Sequence, residues 1–249
     1  MAISEPAAEP VALSVVMPAY NEQDSIADAV ADVQRHVFSA VPGAELVVVD
    51  DGSKDRTGAM LDSLAGAEPR LRVIHRKNGG HGPALITGMD SARGEYLFLI
   101  DSDRQIDLAD FPALWQARRG HDAVFGRRRK RHDPWLRLVL TRVVRVSLWL
   151  VMGVRLYDAN IPCKLLPRAL WLAAKPCIPD DTLAPSLFLA IFTKRRGYDL
   201  MQMDVTHRER TGGVVSLRKW KLIKFCARGF RQMLAFRRAI RGALRGARQ

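Results

Sequence analysis

"EYLFLIDSDRQ", residues 95–105, is an apolar run that ends in two aspartates two positions apart. A short unbroken apolar segment of this kind reads as a strand buried on both faces. Alternate side chains of an extended chain project to the same side, so Asp101 and Asp103 face one way at the strand's end. By the same alternation Arg104 faces away from them. Two carboxylates so placed repel one another unless a cation lies between them. Oxygen-only donors suit Mg²⁺ or Mn²⁺, with substrate phosphates completing the coordination shell. A solvated turn after the strand is the alternative for an isolated pair of this spacing, so the surrounding sequence has to decide.

Upstream, the same grammar repeats. "ALSVVMPA" (12–19) and "AELVVVDD" (44–51) are buried-strand runs, and "RLRVIHR" (70–76) is a third. Each is followed by a helical pattern: 21–37 with Asn21 as its N-cap, 53–66, and 82–94. A fourth helix is expected over 108–119 and a short strand over 122–126. Strands alternating with helices imply an α/β fold, a mostly parallel central sheet with helices on both faces. Ligands of such sheets bind beyond the strands' carboxyl ends. The polar residues ending these runs, Tyr20-Asn21-Glu22, Asp50-Asp51 and Asp101–Asp103, therefore converge on one edge.

Four motifs in order, "VVMPAYNE" (15–22), "VVVDDGSKDRT" (47–57), "KNGGHGPALITGMDSARGEY" (77–96) and "LIDSDRQ" (99–105), resemble the family 2 inverting glycosyltransferases of the GT-A fold. The likeness is greatest to the polyprenyl-phosphate, dolichyl-phosphate mannose synthase-like branch. It is good over 12–125 and thinner to about 216. The resemblance implies a nucleotide-sugar donor, with Pro18, Tyr20 and Glu22 lining the base and ribose and Asp50 and Asp51 hydrogen-bonding them. Gly79, Gly80 and Gly82 would form the loop beneath the sugar, a glycine-rich helix entry being the plainer reading. Asp101, Asp103 and Gln105 match a D-x-D-x-Q motif that holds a divalent ion against the diphosphate. Arg104 departs from the smaller residue usual there.

The net charge of +13 divides unevenly: residues 1–125 carry −8 and residues 126–249 carry +21. Such a basic half meets phosphates, whether of a nucleic acid, an anionic lipid or a phosphorylated substrate. A nucleic-acid partner is disfavoured, because few aromatics interleave the basic residues outside the tail and no binding motif is present. Against the same family, Arg127, Arg137 and Thr141 would hold an acceptor phosphate. Arg137, Thr141 and Arg145 form one stripe of a long helix expected over 134–154. "DANIPCKLLPR" (158–168), read as irregular, supplies Asp158 and Lys164, although Asn160-Ile161-Pro162 replaces the family's centre. "HRERTGGVVS" (207–216) matches its Arg-x-x-Gly loop, with Arg210 set to bind the diphosphate. An anionic acceptor oxygen needs no general base. A hydroxyl acceptor does, and Asp180 and Asp181, the only acids in the region where the family's base would lie, are the signature of that alternative.

The chain of 249 residues divides, on this reading, into a GT-A domain over 1–217 and a basic amphipathic C-terminal helix over 218–249. The tail from Arg218 has eleven Lys/Arg and no acid. Trp220, Ile223, Ala227, Phe230 and Leu234 share one helical face, the pattern of a helix lying on an anionic membrane surface. Packing of that face on the catalytic domain is the alternative. No run reaches the roughly 18 apolar residues of a spanning helix, and the first residues lack the basic start of a secretory signal. Three cysteines without ligand spacing suit a reducing compartment. The expectation is a cytoplasmic protein, peripheral on the inner face of the cell membrane.

Overall fold

Seven strands form one sheet in the computed structural model, which describes residues 11–128, 149–154, 161–208 and 219–246, with side chains in the last segment over 228–242. In chain order they are β1 (Leu13–Ala19), β2 (Ala44–Asp50), β3 (Leu71–His75), β4 (Tyr96–Ile100), β5 (Ala123–Arg128), β6 (Cys163–Pro167) and β7 (Leu200–Val205). Their order across the sheet is β3-β2-β1-β4-β6-β5-β7. All pairs are parallel except those made by β6, which runs antiparallel to both β4 and β5. β1 and β2 are buried along their whole length. That double burial explains why these runs lack the polar alternation of a one-sided strand.

Helices cover both faces. On one side lie α1 (Ile26–Val33), continued by a π turn, α2 (Thr57–Ala67) and α4 (Phe111–Ala117). There Phe98 of β4 meets Phe111 with ring centroids 5.0 Å apart. On the other lie α3 (His81–Ser91), α5 (Arg168–Ala174), α6 (Pro185–Arg195) and α7 (Lys219–Gly246). Leu85, Met89, Trp171, Phe188, Phe192 and Phe236 form the core of that layer. The chain builds outward from β1 to β3, then returns through α3 to β4 on β1's other side. The gap between β1 and β4 is thus the switch point where such sheets bind ligands.

Three local expectations need correction. Asn21 does not cap α1: its φ is +53°, its amide donates to Ser53 Oγ and its side chain accepts from Lys54 N. The helix starts later, after Ser25. Residues 163–167 are not irregular but form β6 inside the sheet. Lys164 makes that run look polar, yet the residue is completely buried. The fourth helix is shorter than its pattern, with 3₁₀ turns at Leu108–Asp110 and Arg118–Gly120 on either side of α4.

The last helix has two faces. Met233, Phe236 and Ile240 are buried in the core, with Phe236 and Phe188 rings 4.7 Å apart. Phe230, by contrast, is 47% exposed, and Leu234 is half-buried. Trp220, Ile223 and Ala227 have side chains outside the described set. Among the described residues, no helix is long and apolar enough to cross a membrane.

Candidate active site

The acids that end β1, β2 and β4 meet in a cleft of about 410 Å³ at the switch point. Its walls include Pro18, Tyr20, Glu22, Asp51, Asp101 and Asp103, together with Asn78, Gly80 and His81 from the entry to α3. Sequence segments eighty residues apart are joined here by the parallel register, which aligns Leu13–Val16 of β1 with Tyr96–Leu99 of β4.

Hydrogen bonds tie the loops around the cleft to one another. Glu22 N donates to Thr57 Oγ1 at 2.8 Å, and Asp51 N donates to Ala19 O at 2.9 Å. The Asp51 carboxylate accepts from Gly79 N at 3.0 Å and Gly80 N at 2.7 Å. These bonds fix the glycine loop against β2. Gly80 sits at φ +95°, a backbone conformation that side-chain-bearing residues rarely adopt. Asp50 points the other way, as alternation along β2 requires. Its carboxylate accepts from Ser53 N at 3.0 Å and meets His75 Nδ1 at 2.9 Å. It is not among the residues lining the cleft, so the expected pair divides into Asp51 inside and Asp50 behind.

His81, which the motif reading passed over, joins the site. Its Nε2 lies 2.9 Å from Asp101 Oδ1, and its side chain is half-exposed. Desolvation disfavours the imidazolium, but the hydrogen bond to Asp101 and the charges of Asp101, Asp103 and Asp51 outweigh that and raise its pKa. The signal was in "GGHGPA": an imidazole at the first residue of a helix that begins beside three carboxylates.

Around the D-x-D-x-Q loop, Gln105 N donates to Asp103 Oδ1 at 3.1 Å. Gln105 O accepts from Arg208 N at 2.8 Å, and Ile106 and His207 form a β-bridge. The Arg208 guanidinium also bonds Asp107 at 2.7 Å. His207 and Arg208 therefore run alongside the loop that carries Asp103. Arg104 leaves the cleft as expected: at φ +57°, its guanidinium reaches Asp28 and, at 2.9 Å, Asp32 on α1.

The remaining expectations are distributed elsewhere. Arg127, near the end of β5, donates to Asp204 Oδ1 of β7 at 2.6 Å. Lys164 is a correction: its ammonium is fully buried, donates to Ile161 O and Ser186 Oγ, and lies 5.3 Å from the Phe125 ring centroid. It is a cation of the sheet–helix interface, not one presented to the cleft. Asp181 is 71% exposed and accepts from Arg228 of α7. Arg137, Thr141, Arg145, Asp158 and Arg210 lie outside the described residues.

The donor chemistry fits a hard divalent ion. Asp101 and Asp103 supply oxygen ligands in a cleft already rich in negative charge. Among the described residues no group of three or more His, Cys, Asp or Glu is arranged to hold a metal. A Mg²⁺ or Mn²⁺ site completed by substrate phosphate and water needs only one or two protein carboxylates.

Residues 14–169 match the family described as "Glycosyl transferase family 2". Over 204 residues the chain is 28% identical to an undecaprenyl-phosphate 4-deoxy-4-formamido-L-arabinose transferase of Proteus mirabilis, covering 81% of this chain and 61% of that protein. The enzyme of the same name from Edwardsiella ictaluri is 29% identical over 215 residues, with coverages of 85% and 64%. The chain thus spans about three fifths of the length of the curated relatives it matches. Among solved structures, glucosyl-3-phosphoglycerate synthase from Mycobacterium tuberculosis, in complex with Mn²⁺, UDP and phosphoglyceric acid, superposes with a TM-score of 0.67. That match is 23% identical and covers 91% of this chain and 78% of the other. S. aureus TarS 1–349 gives a TM-score of 0.56 at 20% identity, covering 77% and 58%. These likenesses extend the GT-A fold over most of the chain, and the motif-bearing half lies inside the matched span. The chain belongs to glycosyl transferase family 2.

Proposed function

We propose that the chain transfers a sugar, with inversion, from a nucleotide-diphosphate donor in the β1/β4 cleft to a polyprenyl phosphate at a membrane surface. The observation that carries this reading is the meeting of the strand-end acids and the glycine loop in one cleft. The relatives named as undecaprenyl-phosphate transferases support the acceptor. The fold neighbour solved with Mn²⁺ and UDP supports the donor class.

In this reading Pro18, Tyr20 and Glu22 flank the base and ribose, and Asp51 holds the Gly79–Gly80 backbone beneath the donor. Asp101 and Asp103, with Gln105, hold Mg²⁺ or Mn²⁺, which when bound neutralises the diphosphate and the charge it gains on leaving. His81 can exchange its bond to Asp101 for one to a diphosphate oxygen. Arg210, two residues beyond Arg208, would add a bidentate contact to the same group. On the acceptor side the attacking oxygen is already anionic, so cations matter more than a base. Arg127, Arg137 and Thr141 fill that role, and Lys164, being buried, is left out of it. The reading divides the chain into a catalytic part over 1–217 and a basic membrane-facing helix over 218–249, peripheral on the cytoplasmic face.

A direct test incubates the chain with undecaprenyl phosphate, Mn²⁺ and UDP-, GDP- or dTDP-sugars in turn. The expected product is a lipid-extractable sugar phosphate with inverted anomeric configuration, abolished by EDTA. Transfer at full rate in EDTA would overturn the metal assignment, and transfer to hydroxyl acceptors alone would overturn the acceptor.

A further inference from the structure

A second cavity, of about 150 Å³, lies between the end of α6, the last third of α7 and the turn at 150–153. Leu150, Gly153, Arg195, Arg237, Ile240 and Arg241 line it. It is remote from the cleft. α6 starts just after Thr182, whose carbonyl abuts Gly82 beside His81, and Arg195 ends that helix, about 16 Å further along by helical rise.

Three arginines line this small space. Among the described residues, no carboxylate pairs with any of them. One local reason for cations exists, because α6 ends here and so does the helical turn before Gly153. A helix carboxyl end carries only about half a negative charge. Two such ends offset about one positive charge of the three, so the cavity keeps a net attraction for an anion. Gly153 adopts φ +66°, and a Cβ there would lie 3.6 Å from Arg195 Nη1, so the turn is shaped against this guanidinium.

The surroundings select the source of that anion. Leu150, which lines the cavity, and its chain neighbour Trp149 are 66% and 50% exposed. On α7, Phe230, Leu234, Arg237 and Arg241 recur at helical spacing on one stripe, apolar at its start and cationic where it reaches the cavity. The buried stripe of Met233, Phe236 and Ile240 lies beside it and faces the core. Exposed aromatic and aliphatic groups continuous with unpaired arginines are what an anionic bilayer surface accepts, apolar groups at the acyl boundary and guanidiniums at the phosphates.

We propose that Arg195, Arg237 and Arg241 form a headgroup pocket for an anionic phospholipid, which holds the α6–α7 layer flat on the membrane independently of the catalytic cleft. This deepens the surface-bound part of the proposed function. It makes no use of the donor site, so the two can fail separately.

The test is co-sedimentation of the full chain with phosphatidylcholine vesicles, with and without phosphatidylglycerol, alongside nucleotide-diphosphate binding to the same samples. Wild type is expected to partition only onto the anionic vesicles. At about fivefold per basic residue, Arg195→Gln/Arg237→Gln/Arg241→Gln should lose partitioning roughly a hundredfold while keeping nucleotide binding. Arg35→Gln/Arg93→Gln/Arg119→Gln, an equal charge change at exposed positions outside α6 and α7, should lose little. If the triple variant fails to fold, the single exposed Arg241→Gln should still lose about fivefold. Equal partitioning of wild type and variant, or equal losses in both triple variants, would overturn the pocket. So would inorganic phosphate displacing the protein from vesicles at low millimolar concentration, which would make it a soluble-anion site. A concentration-dependent dimer abolished by the same substitutions would identify a contact between copies instead.

Discussion

Arg228 of α7 donates to both the carboxylate and the carbonyl oxygen of Asp181, at 2.8 and 3.0 Å. Gln232, one turn on, donates to the same carbonyl at 3.2 Å and accepts from Leu183 N at 3.3 Å. The C-terminal helix thus grips the loop that packs against the start of α3. Because both partners are largely exposed, Arg228→Ala should cost less than about 1 kcal/mol in urea unfolding. Adding Gln232→Ala should speed amide exchange at Leu183, the readout of a loosened loop. Asp181→Asn tests the base directly. With a phosphate acceptor its turnover should stay within about twofold, whereas removal of a general base costs on the order of 10²–10⁴.

Asp103→Ala should abolish the Mn²⁺-dependent part of nucleotide-diphosphate affinity and leave the metal-independent part, as measured by titration calorimetry. His81→Ala should act differently. It removes the imidazole bonded to Asp101, so free-protein Mn²⁺ affinity should rise while donor-dependent turnover falls. A fall in both would show His81 holding the carboxylates in place instead of competing for them.

Behind the cleft, His75 bridges Asp50 and Asp62, each ring nitrogen 2.9 Å from a carboxylate oxygen. Its hydrogen bonds to Asp50 and Asp62 raise its pKa above 6.5. A raised folded-state value means its stabilisation is fully present below 6.5 and is lost as pH rises through the folded value. Asp50 runs the other way. Burial raises its pKa, but hydrogen bonds from Ser53 and His75 prevail and lower it below 3.8, so its contribution is present above that value and is lost on acidification. Urea midpoints of wild type and His75→Gln should therefore converge as pH climbs past the folded value and separate at mildly acidic pH. Solvent screening keeps the difference modest, since the His75 side chain is 47% exposed. Parallel curves across that range would count against the bridge.

The sheet and the cleft were legible because double burial and strand-end acids leave direct marks in sequence. Runs such as "LSVVMPA" need no tertiary information to be recognised, and parallel connections force their ends together. β6 was not legible, because Lys164 interrupts its apolar run. The charge is tolerated by partners, Ile161 O and Ser186 Oγ, that no local pattern displays. The separation of Asp50 from Asp51 was implicit in strand alternation, but identical neighbouring residues invite treatment as a pair. The C-terminal helix was half legible. Its amphipathicity is plain, yet only tertiary packing decides that Met233, Phe236 and Ile240 turn inward while Phe230 stays out.

Gly82 and Gly80 separate two reasons for glycine. A Cβ on Gly82 would lie 1.9 Å from Thr182 O and 3.2 Å from Pro185 Cδ. Gly82→Ala should therefore displace the 179–183 loop or destabilise the fold by about 1–3 kcal/mol. A Cβ on Gly80 meets nothing within 4 Å, but φ is +95°. Gly80→Ala should cost backbone strain alone, about 1–3 kcal/mol, because φ +95° with ψ 166° is a conformation adopted almost only by glycine, while donor affinity falls because the loop backbone shifts. Thermal unfolding should show both variants destabilised, and nucleotide titration should show the larger loss of affinity for Gly80→Ala.

Arg104 holds the loop carrying Asp103 to α1 through Asp28 and Asp32, and does so from a left-handed backbone position. Strain of that kind, on the order of 1 kcal/mol, persists only where side-chain contacts oppose relaxation. Arg104→Gly removes the strain and the contacts together, whereas Arg104→Ala keeps the strain and loses the contacts. Arg104→Gly should consequently be the more stable of the two, by about 1 kcal/mol. Both should bind Mn²⁺ with nucleotide diphosphate more weakly than wild type, because Asp103 is no longer anchored through its loop. Asp28→Asn/Asp32→Asn, which cuts the same contacts from the helix side, should reproduce the loss without touching the loop's sequence. If metal-dependent affinity in that variant matches wild type, Arg104 contributes to stability alone and the loop holds Asp103 unaided.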